Sequence, residues 1–336
     1  MSTSRTTAAA TLAALSLIAL AGCSPAADTP EPQAPAPATA AEFPRTIEIP
    51  AGGGGQAHNL TIDAAPQAIA ALDYESAEVL AELGLADRLV LIPEAVLNPT
   101  LGGHVESLSG VATTFPVAMN LDTETVIATA PDLVVMSPRH GAEDSIGAVL
   151  EQAGLATLQL PDSWTTPEML AQNVALIGET TGTEDAAGDL IEEMEAGYAA
   201  GAATTAGADN ADAPRVLVLT NQAGRPFATA GHAFPLHLLN LAGAVSVSDE
   251  LGMRATGPIS AEQIVQANPD GIVLVDMNGS GDTMYAELLE NPAVATVPAA
   301  SDDRLMRVTG RDVQALGLGA TVSGLASLTE WVSELG

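Results

Sequence analysis

The sequence predicts an α/β protein: two similar αβ lobes with a ligand cleft between them, joined by a rigid interlobe helix. Three observations carry this expectation. A helix–turn–strand segment occurs twice, helical stretches lie between the copies, and buried-type strands alternate with helices on both sides. The first copy is Asp122-Thr-Glu-Thr-Val-Ile-Ala-Thr-Ala-Pro131-Asp132-Leu-Val-Val; the second is Ser260-Ala-Glu-Gln-Ile-Val-Gln-Ala-Asn-Pro269-Asp270-Gly-Ile-Val. The offset is 138 residues at both ends (260 − 122 and 269 − 131). A period that long marks a pair of matched halves rather than a solenoid unit.

Each copy has the same physical reading. Asp122 and Ser260 are N-cap residues, whose side-chain oxygens accept from the orphan amides of a first helical turn. Glu124 and Glu262 place negative charge at the positive end of the helix dipole. Val126 and Ile127, like Ile264 and Val265, form an apolar side. Pro131 and Pro269 end the helix, because the residue before a proline is pushed out of the α region. Leu133–Met136 and Ile272–Val275 then read as short strands buried on both faces. In parallel sheets ligands sit beyond the carboxyl ends of strands. Ser137 to Gly141 and Asp276 to Gly281 are therefore the first places to look for a site.

The N-terminus reads as an address. Arg5, the apolar run Ala8 to Leu20 and Leu20-Ala-Gly-Cys23 form a signal peptide over residues 1–22, too short for an ordinary membrane span. The tetrapeptide resembles the bacterial lipobox, in which the cysteine becomes the lipidated N-terminus. Cys23 is the chain's single cysteine, so no intramolecular disulfide can form. Residues 23–44 are Pro/Ala-rich and read as a flexible tether.

An N-terminal lobe is expected over 45–164. It opens with a hairpin of Thr46–Ile49 and Leu60–Ile62 around Gly52 to Gly55. A strand Ala68–Leu72, a helix Ala77–Leu83 closed by Gly84 and a strand Leu89–Ile92 follow. Pro93 to Thr114 is loop-rich. After the first copy come a helix Ile146–Gln152 and a strand Thr157–Leu160. The interlobe connection is expected over 165–200 as one long helix or two stacked helices, with Ala200 to Ala213 a low-complexity loop. The second lobe, 213–336, restarts with Val216–Leu219, a turn at Gly224-Arg-Pro226 and a helix Phe234–Leu241 capped by Gly243. The second copy, a helix Thr283–Leu289, a strand Leu305–Val308 and a last helix Gly319–Leu335 complete it.

With 336 residues and 47% hydrophobic content there is material for two cores. The net charge is −32 and all ten basic residues are arginine, which disfavours nucleic acid and an anionic membrane surface as partners.

These elements together resemble the Fe/B12-type (class III) periplasmic substrate-binding lipoproteins of ABC importers. The resemblance is carried by Pro66–Leu72, Ala77–Val90, both copies of the repeat, Gly224-Arg225-Pro226, Leu238-Leu-Asn-Leu-Ala-Gly243 and Asn291-Pro-Ala-Val294. It implies an extracytoplasmic, membrane-anchored monomer that holds an iron chelate (haem or ferric siderophore) or cobalamin in its cleft and docks on an ABC permease. No intrinsic cofactor is implied. The implied cleft residues are Tyr74, Met119, Asn120, Arg139 and His140 from the first lobe. From the second they are Arg225, His232, Met277, Asn278, Tyr285 and Arg311.

Residue chemistry leaves the ligand open. His140 beside Arg139 suits haem, the imidazole ligating iron and the guanidinium holding a propionate, with Tyr285, His232 or a methionine as second axial ligand. The same pair suits an anionic ferric siderophore that coordinates the iron itself, or an exposed loop pair with no ligand role. Many haem-binding members of the family place a Tyr and an Arg just before the first repeat helix; this chain has Phe115-Pro-Val117-Ala-Met119-Asn120 there. His58 and His104 read as surface loop residues and His237 as a packed helix residue. The other functional class, an exported hydrolase or cofactor-handling enzyme on a two-lobe scaffold, lacks a Gly-x-Ser-x-Gly, a Walker loop or paired His/Cys zinc spacing.

Overall fold

The computed structural model describes residues 42–52, 56–116, 122–138, 143–205, 213–222, 224–314 and 318–335. An antiparallel hairpin of β1 (Arg45–Ile49) and β2 (His58–Ile62) leads in. The first αβ half follows as β3 (Ile69–Ala71), α1 (Tyr74–Glu82), β4 (Leu89–Pro93), α2 (Val105–Leu108), β5 (Thr113–Phe115), α3 (Thr123–Ala128), β6 (Leu133–Met136), α4 (Glu143–Gln152) and β7 (Thr157–Gln159). Its five strands are parallel, in the order β5-β4-β3-β6-β7. Two helices, α5 (Pro167–Thr181) and α6 (Glu184–Thr205), lead onward.

The second half contains β8 (Arg215–Gln222), β9 (Arg225–Ala228), α7 (Phe234–Leu241), β10 (Val245–Ser246), β11 (Gly257–Pro258), α8 (Ala261–Ala267) and β12 (Gly271–Asp276). It ends with α9 (Gly281–Leu289), α10 (Pro298–Ser301), β13 (Leu305–Thr309), α11 (Gly310–Val313) and α12 (Leu318–Ser333). Its sheet runs β11-β9-β8-β12-β13, with β10 on the first residues of β8. β8, β12 and β13 are parallel, and β9 turns back antiparallel along β8.

The two repeat copies therefore lie in different sheets, each supplying the strand beside the central one: β6 beside β3, and β12 beside β8. Both Pro-Asp turns perform the same task. Asp132 donates its amide to the Ala68 carbonyl (2.8 Å), and its carboxylate accepts from the amides of Gln67 (2.8 Å) and Ala68 (2.9 Å). Asp270 donates its amide to the Arg215 carbonyl (2.7 Å) and accepts the Arg215 amide on its carboxylate (2.8 Å). Amides at a strand entry lack a ladder partner, and here the aspartate of the neighbouring strand supplies one.

Alternate residues of these strands serve two cores. Leu133, Val135, Val216, Val218, Val273 and Val275 face one shared cluster, which also takes in residues of α1, α5, α6, α7 and α12. Val134 and Met136 face a second cluster, and Leu217, Leu219, Ile272 and Leu274 a third. Each sheet is thus covered on both sides, as parallel sheets require. One core is private to each half and one is common to both.

The connection between the halves is a helix pair. Thr166 caps α5, accepting from the Met169 amide (3.3 Å), and Pro167 takes the first turn. Gly182 ends α5 in the left-handed region (φ 77°). Arg45 of β1 donates to the Glu179 carbonyl (2.7 Å) and pairs with Glu184, tying the hairpin to the α5–α6 corner. Ala200–Thr205 is helical, not the start of a loop as its composition predicts. A Cβ on Gly197 would lie 2.3 Å from the Val322 side chain and one on Gly201 2.5 Å from that of Leu325, so α6 approaches α12 where only glycine fits. Packing along this seam overrides the weak helix propensity of the Ala/Gly/Thr run. Helix α1 likewise starts at Tyr74 rather than Ala77, because Asp73 is its N-cap.

Asp132→Ala and Asp270→Ala are each expected to lower stability by about 1–2 kcal/mol, the loss of hydrogen bonds to a charged, partly exposed acceptor. The double variant should lose nearly the sum, since the sites share no partner. Urea denaturation of the three variants against the parent measures it.

Candidate functional site

The carboxyl ends of the central strands are stapled alike in both halves. In the first, Asp73 follows β3, is buried, and accepts the Ser76 amide (2.8 Å), the Ser76 hydroxyl (2.9 Å) and the Ser137 amide (2.9 Å). It thereby joins the start of α1 to the residue after β6. In the second, Asn221 near the end of β8 accepts the Met277 amide after β12 (2.6 Å). Its Nδ2 lies 2.7 Å from Asp276 Oδ1, 2.8 Å from Asn278 Oδ1 and 3.2 Å from Ser280 Oγ.

These ends meet across the cleft. The Arg311 amide, at the start of α11 after β13, donates to the Thr100 carbonyl in the segment after β4 (3.1 Å). A Cβ on Gly310 would lie 2.9 Å from Leu101 Cδ1, 3.0 Å from Met277 Sδ and 3.3 Å from the Thr100 carbonyl, so the two halves close on a bare backbone. The Thr100 segment is itself fastened. Asn98 Oδ1 accepts the Thr100 amide (3.0 Å) and hydroxyl (2.8 Å), and Glu78 Oε2 accepts the Gly103 amide (3.1 Å) and His104 Nδ1 (2.8 Å). Glu78 is fully buried, and its Oε1 has no hydrogen-bond partner among the described residues.

The expected cleft residues separate against this geometry. Met119, Asn120, Arg139 and His140 lie outside the described residues, as does Cys23. Tyr74 is the first residue of α1, half-buried against the shared core. Met277 is half-buried at the interlobe contact, with Gln314 Nε2 3.7 Å from its sulfur. Arg311 is exposed there, its guanidinium 3.6 Å from Asp312. Asn278 is exposed on the loop after β12, its amide oxygen taken by Asn221, the Ser280 amide (3.0 Å) and the Ser280 hydroxyl (2.6 Å). Arg225 is exposed at the β8–β9 turn, its guanidinium 5.5 Å from the Phe227 ring centre, and His232 is exposed before α7.

Tyr285 is a correction. It is 1% exposed, with its hydroxyl 2.7 Å from the Val275 carbonyl and 3.1 Å from that of Leu219. Burial pushes this phenol well above its ordinary range. It bridges β8 and β12 inside the sheet's private core and cannot reach a ligand. Its place on α9 was readable from sequence; the face it presents was not.

Among the remaining histidines, His104 differs from expectation. His104 is no free surface residue but the partner of buried Glu78. His58 opens β2, with Nδ1 3.1 Å from the Gln56 carbonyl. His237 is half-buried in α7 as expected, its desolvation holding its pKa below the ordinary histidine value against the field of Glu168. Sequence reasoning missed Asn221, Asn98 and the Thr100–Leu101 and Gly310 contact. Asp73 had a signal, an aspartate ahead of Ser76 at capping distance; Gly310 had none.

Comparison with known proteins places the fold. Residues 69–311 match the family model described as Periplasmic binding protein. The Bacillus subtilis (strain 168) protein named Uncharacterized ABC transporter substrate-binding lipoprotein YvrC is 26% identical over 221 residues. That alignment covers 65% of this chain and 66% of that protein, just under two thirds of its length. Among solved structures, the periplasmic heme-binding protein RhuT from Roseiflexus sp. RS-1 in apo form superposes with TM-score 0.68 at 19% identity, covering 80% of this chain and 98% of that one. An ABC-type Fe3+-hydroxamate transport system structure from Saccharomonospora viridis DSM 43017 gives TM-score 0.66 at 19% identity, covering 86% and 99%. The two-lobe expectation is met by these neighbours.

The pair beneath the interlobe contact has a pH signature. The hydrogen bond to Glu78 raises the His104 pKa above 6.5, opposed by desolvation and aided by the fields of Glu78 and Glu82. A raised folded-state pKa gives stability that is complete below the unfolded value and fades as pH rises through the folded one. The stability gap between the parent and His104→Ala should therefore be widest below about pH 6.5 and narrow as pH rises beyond the folded value, as thermal melts across pH will record.

Proposed function

Because this chain belongs to the periplasmic binding protein family, we propose that it captures an iron chelate, haem or a ferric siderophore, outside the cytoplasm and delivers it to an ABC permease. In this reading it is a monomer anchored to the cell membrane by lipid on Cys23, and it performs no chemistry on its cargo. The family is one of binding proteins, not catalysts.

The observation that carries the reading is the meeting of two parallel-type sheets at the carboxyl ends of their strands, through Thr100–Leu101 and Gly310–Arg311. Ligands of such sheets sit there. The exposed groups at these ends in the second half are Arg225, Asn278 and Arg311, with half-buried Met277 between the halves. Two guanidiniums offset the negative charge of a haem propionate or a ferric chelate. Tyr285 drops out as an axial ligand. His140 with Arg139, and His232, remain the residues proposed to meet haem, and Tyr74, Met119 and Asn120 complete the proposed lining.

Titration of the purified mature chain with haemin and with ferric desferrioxamine B tests this. Haem binding would give a Soret shift that His140→Ala removes. Ferric siderophore binding would quench Trp164 or Trp331 without one. Arg311→Ala should weaken the bound chelate about tenfold, or ~1.4 kcal/mol. Silence toward both probes would sink the iron-chelate reading. For the anchor, Cys23→Ser should move the protein from the membrane fraction to the soluble one.

A further inference from the structure

We propose that Asn221 is the positioning residue of the second half's cleft edge, its side-chain amide standing where a cation stands in calcium loops of the same spacing. The segment Asp276-x-Asn278-x-Ser280-Gly281 has the pattern of oxygen-donor loops whose first, third and fifth positions ligate calcium and whose sixth is glycine. In this chain the same three side chains converge on one nitrogen. Asn221 Nδ2 is 2.7 Å from Asp276 Oδ1, 2.8 Å from Asn278 Oδ1 and 3.2 Å from Ser280 Oγ. An NH2 group has two protons to give, so three oxygens around it are the surroundings of a positive centre rather than of an ordinary amide.

The rest of the loop fits this role. Asp276 Oδ1 also accepts the amides of Asn278 (3.1 Å) and Gly279 (2.9 Å), which curls the chain around the carboxylate. A Cβ on Gly281 would lie 2.8 Å from Asp276 Cβ and Cγ, so the sixth position must be glycine for the loop to close. The twelfth position, which ligates in a calcium loop of this length, is Glu287, and it is exposed in α9. No group of three or more His, Cys, Asp or Glu able to hold a metal ion occurs among the described residues. The loop has the oxygens of a cation site and an internal amide in the cation's place.

This explains why the two halves differ at matching positions. Asp73 meets only donors: two amides and a hydroxyl. A carboxylate suits it. Asn221 must accept the Met277 amide on one side and face Asp276, Asn278 and Ser280 on the other. Only an amide both accepts and donates there, and Asn221 is 1% exposed, so solvent cannot substitute. Through it the backbone of Met277 is fixed beside Gly310, where the halves meet. That this fixes a bound chelate rests on the function proposed above; the placement of the amide does not.

The experiment compares the parent with Asn221→Asp, using terbium(III) luminescence and calcium-dependent melting, with haemin and ferric desferrioxamine B as cleft probes. The parent should give no terbium signal from this loop. Asn221→Asp sets a carboxylate against Asp276, so without calcium its affinity for the bound probe should fall at least about tenfold. It should gain a terbium signal that calcium competes away, and with calcium alone it should melt higher and recover probe affinity; a merely structural role would not respond to either ion. Asn221→Ala guards against a folding failure, since it vacates the same place without adding charge and should also admit terbium. A terbium signal in the parent that Asn278→Ala abolishes would overturn the inference by making the loop a true cation site. Folded variants without any terbium response would overturn it as well. If neither probe binds the parent, the iron-chelate reading fails, while the terbium comparison still decides this one.

Discussion

The fold depends on how each central strand is pinned to its neighbour at both ends. At the entry, Asp132 exchanges backbone and carboxylate hydrogen bonds with the residues just before β3, and Asp270 does so with the first residue of β8. At the exit, Asp73 and Asn221 hold the residues that follow β6 and β12. A strand slipped by one residue would turn every side chain to the opposite face. Here that slip would send Val134 and Met136 into the shared core and Leu133 and Val135 out of it, and would do likewise to Ile272 and Val273. Four short polar side chains therefore set which residues face the common core and which face the private ones. They also set where the loops that leave the sheets begin.

How much was legible in sequence follows from where the controlling physics lies. The repeat, the strands Leu133–Met136 and Ile272–Val275, and helix Phe234–Leu241 could be read, because caps, prolines and apolar runs act over a few residues. The Ala200–Thr205 helix could not, because Gly201 there, like Gly197 one turn earlier, serves a contact with α12, far away in sequence. Tyr285 was placed on its helix correctly yet assigned to the cleft, since a nine-residue helix with mixed composition does not declare its buried face. His104 looked like a loop histidine because its partner, Glu78, lies 26 residues earlier on a different element. Of the expected cleft residues that are described, Tyr74, Arg225, Met277, Asn278 and Arg311 lie at strand ends, the one rule that topology alone supplies.

The shared core bears on how such a molecule holds a ligand. Residues 40 to 336 form one compact unit, not two units joined by a tether. The α5–α6 pair is closely seated: a Cβ on Gly178 would approach Ala187 to 2.5 Å, and Tyr198 hydrogen-bonds Thr321 across the α6–α12 seam at 2.6 Å. Wide hinge opening would tear this seam. Against it, the direct contact across the cleft among the described residues, one backbone hydrogen bond and the Leu101–Gly310 approach, is slight. The economical motion is a small adjustment at that contact over a fixed base. Affinity in a cleft of that kind comes from preorganisation, since little ordering remains to be done when the ligand arrives.

The stapled edges also constrain what can recognise the ligand. Backbone amides just past strand ends are natural donors to an anionic group, as they are where loops cradle phosphates. In this chain the amides of Ser137 and Met277 point instead to Asp73 and Asn221, and those of Asn278, Gly279 and Ser280 to Asp276 and Asn278. These backbone donors are spent internally. For the function proposed above, these amides leave recognition to side chains on the loops, and Arg225, Asn278 and Arg311 are the groups proposed among those described. Side chains change by single substitutions without disturbing the sheet beneath them. A frame that withholds its backbone from the ligand leaves specificity to loop side chains, so a change of cargo needs no change in the fold.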